Sequence, residues 1–97
     1  MKYGLYAMRD QKAGFLQPTV ELNDEIAIRN FKLAVTRSKD SLFFTEPQDF
    51  SLYRIGSYET DTGVLSFSKT EPVVIALATE FALKDKDGEI YDISNPV

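Results

Sequence analysis

Between Asn23 and Arg37, Ala27, Ile28, Phe31, Ala34 and Val35 recur at the i, i+1, i+4, i+7, i+8 spacing that gathers them on one helical face. Asn23 is a good N-cap, and Asp24 and Glu25 set negative charge in the positive first turn, so the spacing predicts a helix over Asp24 to Arg37. This is the clearest element of the chain. Its single apolar stripe must be buried against something, and the surrounding residues read as strands, so a sheet is the partner available.

Residues 2 to 9, KYGLYAMR, are rich in Tyr and aliphatics and read as a strand. A hairpin loop, DQKAG, leads to a partner strand, FLQPTV, at 15 to 20. Pro18 cannot donate a ladder hydrogen bond, so that strand lies at an edge or is interrupted there. Residues 38 to 47 read as a loop anchored by Leu42, Phe43 and Phe44, with a single turn at PQD. Phe50 to Tyr58, the Gly-ended turn ETDTG and Val64 to Ser68 make a second hairpin. Period-2 alternation puts Phe50, Leu52, Arg54, Gly56 and Tyr58 on one face, with Tyr53 and Ile55 on the other. Apolar residues on both faces point to an interior strand covered on both sides, and Gly56 to a bulge or a close backbone approach. VVIALA, after Pro72, fits a buried strand better than a short helix because it is brief and begins β-branched. Residues 80 to 97 read as a weak hairpin around Asp87-Gly88 or a surface tail, acidic from 84 onward. The expected fold is α+β, a small mostly antiparallel sheet in the order β-β-α-β-β-β with one helix packed on a face. At 97 residues it makes one domain, 1–97.

Composition narrows the chemistry. The chain has no Cys and no His, which removes the thiolate nucleophile, the commonest general base and the usual zinc ligands. No phosphate-cradling Gly motif is present. KDKDGEIYD, at 84 to 92, resembles part of a calcium loop, but Leu83 and Ser94 then fall where carboxylates are required. Enzyme activity and a cofactor are therefore not expected. The longest apolar run, Val73 to Ala78, is far short of the ~20 residues that cross a bilayer. The start lacks a signal-peptide apolar region, so the expected location is intracellular.

The net charge of −4 is unevenly spread: residues 1 to 54 carry +1 and residues 55 to 97 carry −5. An anion-binding surface therefore belongs in the first half. Within 26 to 39 stand Arg29, Lys32, Arg37 and Lys39 and no acidic residue. They can neutralise phosphates, with Lys12 and Arg54 as weaker candidates. The bland reading is a solvated helix face, with Glu25 pairing to Arg29 and Arg37 favoured by the helix C-terminus. Tyr3, Tyr6, Tyr53 and Tyr58 lie on strands, where an exposed face can stack unpaired bases, although strand aromatics more often serve the core. Arg54 reads as a cross-strand or turn partner of Glu59 or Asp61, its stem lying over apolar neighbours.

Pro47, Asp49, Phe50, Leu52, Tyr53, Ile55, Gly56, Tyr58 and Glu59, then Thr62 and Gly63, form a motif that resembles the small nonstructural protein of the gokushovirus branch of the Microviridae. Asp10, Lys12 and Ala13, with Phe15 and Pro18, and the helix element Ala27, Ile28, Arg29 and Phe31 extend the resemblance over roughly residues 3 to 80. It implies a phage protein of the bacterial host cytoplasm, absent from the mature capsid. Such proteins are described as DNA-binding or as acting in viral DNA synthesis, single-strand production and packaging. The implied partner is single-stranded DNA; the alternative is a module that binds a replication, capsid-assembly or host protein. The resemblance supplies no catalytic residues. Oligomeric state, homodimer included, stays open. For a metal-free domain, adding a chelator is expected to leave the melting temperature unchanged; a large drop in a thermal melt would contradict this.

Overall fold

The computed structural model describes residues 1–67 and 72–82, so the segment from 84 to 97 and its incomplete calcium loop lie outside the described residues. The architecture is α+β. Six strands, β1 (Lys2–Asp10), β2 (Gly14–Phe15), β3 (Thr19–Glu21), β4 (Phe50–Glu59), β5 (Val64–Phe67) and β6 (Val73–Leu77), form one open sheet. Every pairing is antiparallel. Long β1 and β4 lie side by side at the centre. β2 and β3 succeed one another along the free side of β1, and β5 and β6 along the free side of β4. The partner strand expected at 15 to 20 is thus two short strands, broken across Leu16 to Pro18.

Helix α1 (Asp24–Thr36) forms as its periodicity requires. The Asn23 side chain accepts a hydrogen bond from the Ile26 N–H at 2.9 Å, and Arg37 is the C-cap. Ala27, Phe31 and Val35 are buried against the sheet, where they meet Tyr6, Phe50, Leu52 and Ala76. Truncating a buried Phe such as Phe31 to Ala typically costs about 3–5 kcal/mol. Residues 38 to 47 are more ordered than a loop. They contain the short helix α2 (Leu42–Thr45), followed by a 3₁₀ turn at Pro47–Asp49. Phe44 is buried and Phe43 packs edge-on against Phe50, with ring centroids 4.7 Å apart. Leu42 is no anchor: it is 66% exposed, because one turn of helix turns it away from the two aromatics. Residues 79–82 are helical, and Ala78 and Ala82 enter the core; the hairpin or tail expected around Asp87-Gly88 lies outside the described residues.

One carboxylate joins the helix to both central strands. The Tyr6 hydroxyl on β1 donates to Asp24 Oδ1 at 2.6 Å, and Arg54 Nη1 on β4 donates to Asp24 Oδ2. The Tyr6 ring lies across Gly4 to reach it; a Cβ at Gly4 would sit 2.2 Å from the hydroxyl oxygen. Arg54 therefore pairs across to the helix and not with Glu59 or Asp61, as the turn beside it suggested. Those two hold the N-terminal ammonium, at 2.6 Å and 3.3 Å. That contact raises the proton affinity of the amine and lowers the Glu59 pKa.

β4 carries a bulge that redistributes its side chains. Leu5 pairs with Gly56 but Tyr6 pairs with Arg54, so Ile55 is an extra residue opposite β1. Phe50, Leu52 and Arg54 face the helix, whereas Gly56 and Tyr58 face away from it. The single face expected for all five residues is corrected by that one inserted position. A Cβ on Gly56 would lie 2.3 Å from the Ser66 carbonyl oxygen, so β5 pairs as closely as it does only against glycine.

Burial, and then the hydrogen bond to Asp24, push the Tyr6 phenol far above its ordinary range. The folded protein keeps the proton while the unfolded chain loses it near pH 10. The contribution is complete below pH 10 and is lost as the pH rises beyond it, by about 1.4 kcal/mol per pH unit for one proton. Denaturant unfolding of Tyr6→Phe is expected to start about 1.5–3 kcal/mol lower and to lack this alkaline slope.

Candidate functional site

The two sides of the sheet differ sharply. α1 and α2 fill one side. Among the described residues no helix covers the other side, against the expectation that β4 is covered on both. Cross-strand pairing places Tyr3, Leu5, Ala7 and Arg9 of β1 on this outer face, with Tyr53, Gly56 and Tyr58 of β4. Phe15, Leu65, Phe67, Val74 and Leu77 join them through β2, β5 and β6. Leu5 and Ala7 are covered by their neighbours, but Phe15 is 48% and Phe67 66% exposed.

Five aromatic rings, Tyr3, Phe15, Tyr53, Tyr58 and Phe67, thus share one face. Phe15 and Tyr53 meet edge to face with centroids 5.1 Å apart. Arg9 lies over the Phe15 ring at 5.8 Å, and its Nη1 donates to Gln11 Oε1 at 3.3 Å. Among the strand positions paired on this side, Arg9 is the only charged residue. A groove of about 330 Å³ runs between Ala7, Phe15, Pro18, Ile55 and Phe67. A shallow, mostly apolar surface of this kind offers flat rings and methyl groups to a partner. It brings together no acid, base and nucleophile. A second crevice, between α1 and β3, measures about 130 Å³, below the roughly 300–1,000 Å³ of ligand pockets.

The basic candidates fall in three places. Arg29 and Lys32 project from the solvent side of α1, Arg37 caps it and Lys39 follows in the exposed turn. From Arg29 to Arg37 the helix rises about 12 Å. Glu25 makes no ion pair with Arg29 among the described residues, and Lys32 Nζ lies 6.0 Å over the Phe81 ring. Lys12 stands at the exposed tip of the β1–β2 hairpin, its backbone N–H donating to Asp10 Oδ1 at 2.9 Å. Arg54 is on the helix side, held by Asp24. The α1 cations and the aromatic face therefore lie on opposite sides of the sheet.

Tyr6 leaves the set of stacking tyrosines, since it is 1% exposed and bonded to Asp24. Reasoning from the sequence missed Phe15, Phe67 and Arg9. The alternation Tyr3, Leu5, Ala7, Arg9 carried part of that signal, but their neighbours arrive through strand pairing.

These features define a small α+β protein with a filled helical side and an aromatic side that no helix of the described residues covers. The chain belongs to the Phage ORF5 protein family, whose profile matches residues 3–81. Neither a curated protein nor a solved structure matches it. No helix of the described residues is long and apolar enough to cross a membrane.

Arg54 and Asp24 are each about two-fifths exposed, so their pair is worth about 0.2–1 kcal/mol. Arg54→Met, which keeps much of the stem, is expected to lose no more than that in urea unfolding.

Proposed function

We propose that this phage protein is a nonenzymatic accessory factor that binds single-stranded DNA. It would act in the host cytoplasm, in viral DNA replication, single-strand synthesis or packaging of a Microviridae phage. The observation that carries this reading is the face that gathers five rings and, among the described strand positions, one positive charge, Arg9, with no helix of the described residues over it. Unpaired bases present flat π-faces of any sequence, and stacking them on such rings needs no hydrogen-bond code. Arg9 and Lys12, at one end of the face, are placed to meet phosphates. Duplex DNA hides its bases in the stack and gains little from this surface.

The helix patch gives a second reading, in which Arg29, Lys32, Arg37 and Lys39 neutralise phosphates and the aromatic face serves a protein partner. Exposed Val20, Leu65, Val74 and Leu77 around the rings favour a protein partner there. The two readings differ in salt dependence and in which residues matter.

Titrating fluorescent single-stranded and duplex oligonucleotides at two salt concentrations tests them. Phe15→Ala and Tyr53→Ala are each expected to weaken single-strand binding by about 1–3 kcal/mol, about fivefold or more. Changing Arg29, Lys32, Arg37 and Lys39 together to Gln is expected to leave the salt slope unaltered. A slope flattened by about 0.7 per lost contact would transfer the site to the helix. Absence of binding at either salt would leave the protein-interaction module as the surviving reading.

A further inference from the structure

The two edges of the sheet are finished differently. An open edge offers unpaired N–H and C=O groups, and proteins guard it with short strands, Pro, bulges, charges or a cover. The β2/β3 edge carries such guards: its strands are two and three residues long, Pro18 falls between them, and Glu21 ends β3. On the opposite edge, Glu80 caps β6, its carboxylate accepting from the Leu77 N–H at 2.6 Å. β5 has no guard. Val64, Leu65, Ser66 and Phe67 contain no charge and no Pro, and all four are exposed. One side of β5 pairs with β4, and the other faces no strand among the described residues.

We infer that β5 is a homodimer edge, pairing antiparallel with β5 of a second copy. A strand added there completes the backbone hydrogen bonds and buries Val64, Leu65 and Phe67. Charge selects the second copy as occupant. Residues 55 to 97 carry −5 of the chain's net −4, so two copies repel where these acidic halves approach. Residues 64 to 67 and 73 to 77 hold no charge at all, so copies can meet there without like charges in contact. The same neutrality gives a nucleic-acid backbone nothing to bind. Antiparallel self-pairing is also isologous, so it closes as a dimer and does not propagate.

The geometry has a consequence. The two-fold axis of an antiparallel strand pair stands perpendicular to the sheet, so both outer faces fall on the same side. Two aromatic platforms become one, with the helices of both copies behind it. Dimer formation itself does not depend on DNA binding, and it is measured without nucleic acid.

Sedimentation equilibrium over the micromolar range tests the inference. The wild type is expected to be dimeric. Leu65 lies beside or opposite its own copy in such a pair, so Leu65→Lys and Leu65→Glu are each expected to weaken the dimer about tenfold or more. Circular dichroism checks that both stay folded, and Ser66→Lys with Ser66→Glu serve if either does not. An equimolar mixture of the Lys and Glu variants is expected to recover dimer, since opposite charges then face each other. A monomeric wild type, variants that dimerise as the wild type does, or a mixture that stays monomeric would each overturn the assignment.

Discussion

Asp24 is the residue on which three separate elements converge. Its position in the first turn of α1 places a negative charge where the helix dipole favours one. Its two oxygens accept from Tyr6 on β1 and Arg54 on β4, the two strands at the middle of the sheet. Hydrophobic burial presses the helix onto the sheet without specifying direction. The Asp24 contacts supply direction, pinning the N-terminal end of α1 over the junction of β1 and β4. The rest of the helical side follows from that placement, because Phe31 and Val35 then descend onto Leu52 and Ala76.

Among the described residues, only one side of the sheet is treated this way. A 13-residue helix is about 20 Å long and about 10 Å wide, and α2 adds a single turn. Together they cover one face of a sheet whose longest strand, at ten residues, runs about 33 Å. Among the described residues, the outer face presents rings and aliphatic side chains. An exposed apolar patch of this extent ordinarily marks an interaction surface. The β-bulge at Ile55 enlarges it, since it turns Gly56 and Tyr58 outward beside Tyr3 and Tyr53.

Several elements were legible in the residues. Asn23, the acidic first turn and the 3.6-residue period located α1 almost to its ends. Tyr-rich alternation located β1, Pro18 foretold the break between β2 and β3, and ETDTG located the β4–β5 turn, where Gly63 has a φ of +73°. The motif around residues 47 to 63 pointed to a phage family. Each of these signals is local, carried by residues within a turn or two of one another. Leu42 shows where such signals end: a run of three apolar residues does not say which of them a single helical turn will bury. The partner of Arg54 is hidden for a related reason: Glu59 and Asp61 are near it in sequence, whereas Asp24 is 30 residues away.

The sequence by itself determined the α+β class, the helix with its buried stripe, the two hairpins and the exclusion of His- or Cys-based chemistry. Periodicity, turn residues and composition act over short range, and no fold can restore an absent side chain. Tertiary structure alone decided which face each β4 residue joins, which carboxylate holds Arg54, and that Phe15 and Phe67 share a surface with Tyr3, Tyr53 and Tyr58. Those outcomes rest on strand register. One extra residue at Ile55 reverses every later side chain of β4, and the close contact of Gly56 with Ser66 that accompanies it exists only once the strands have paired.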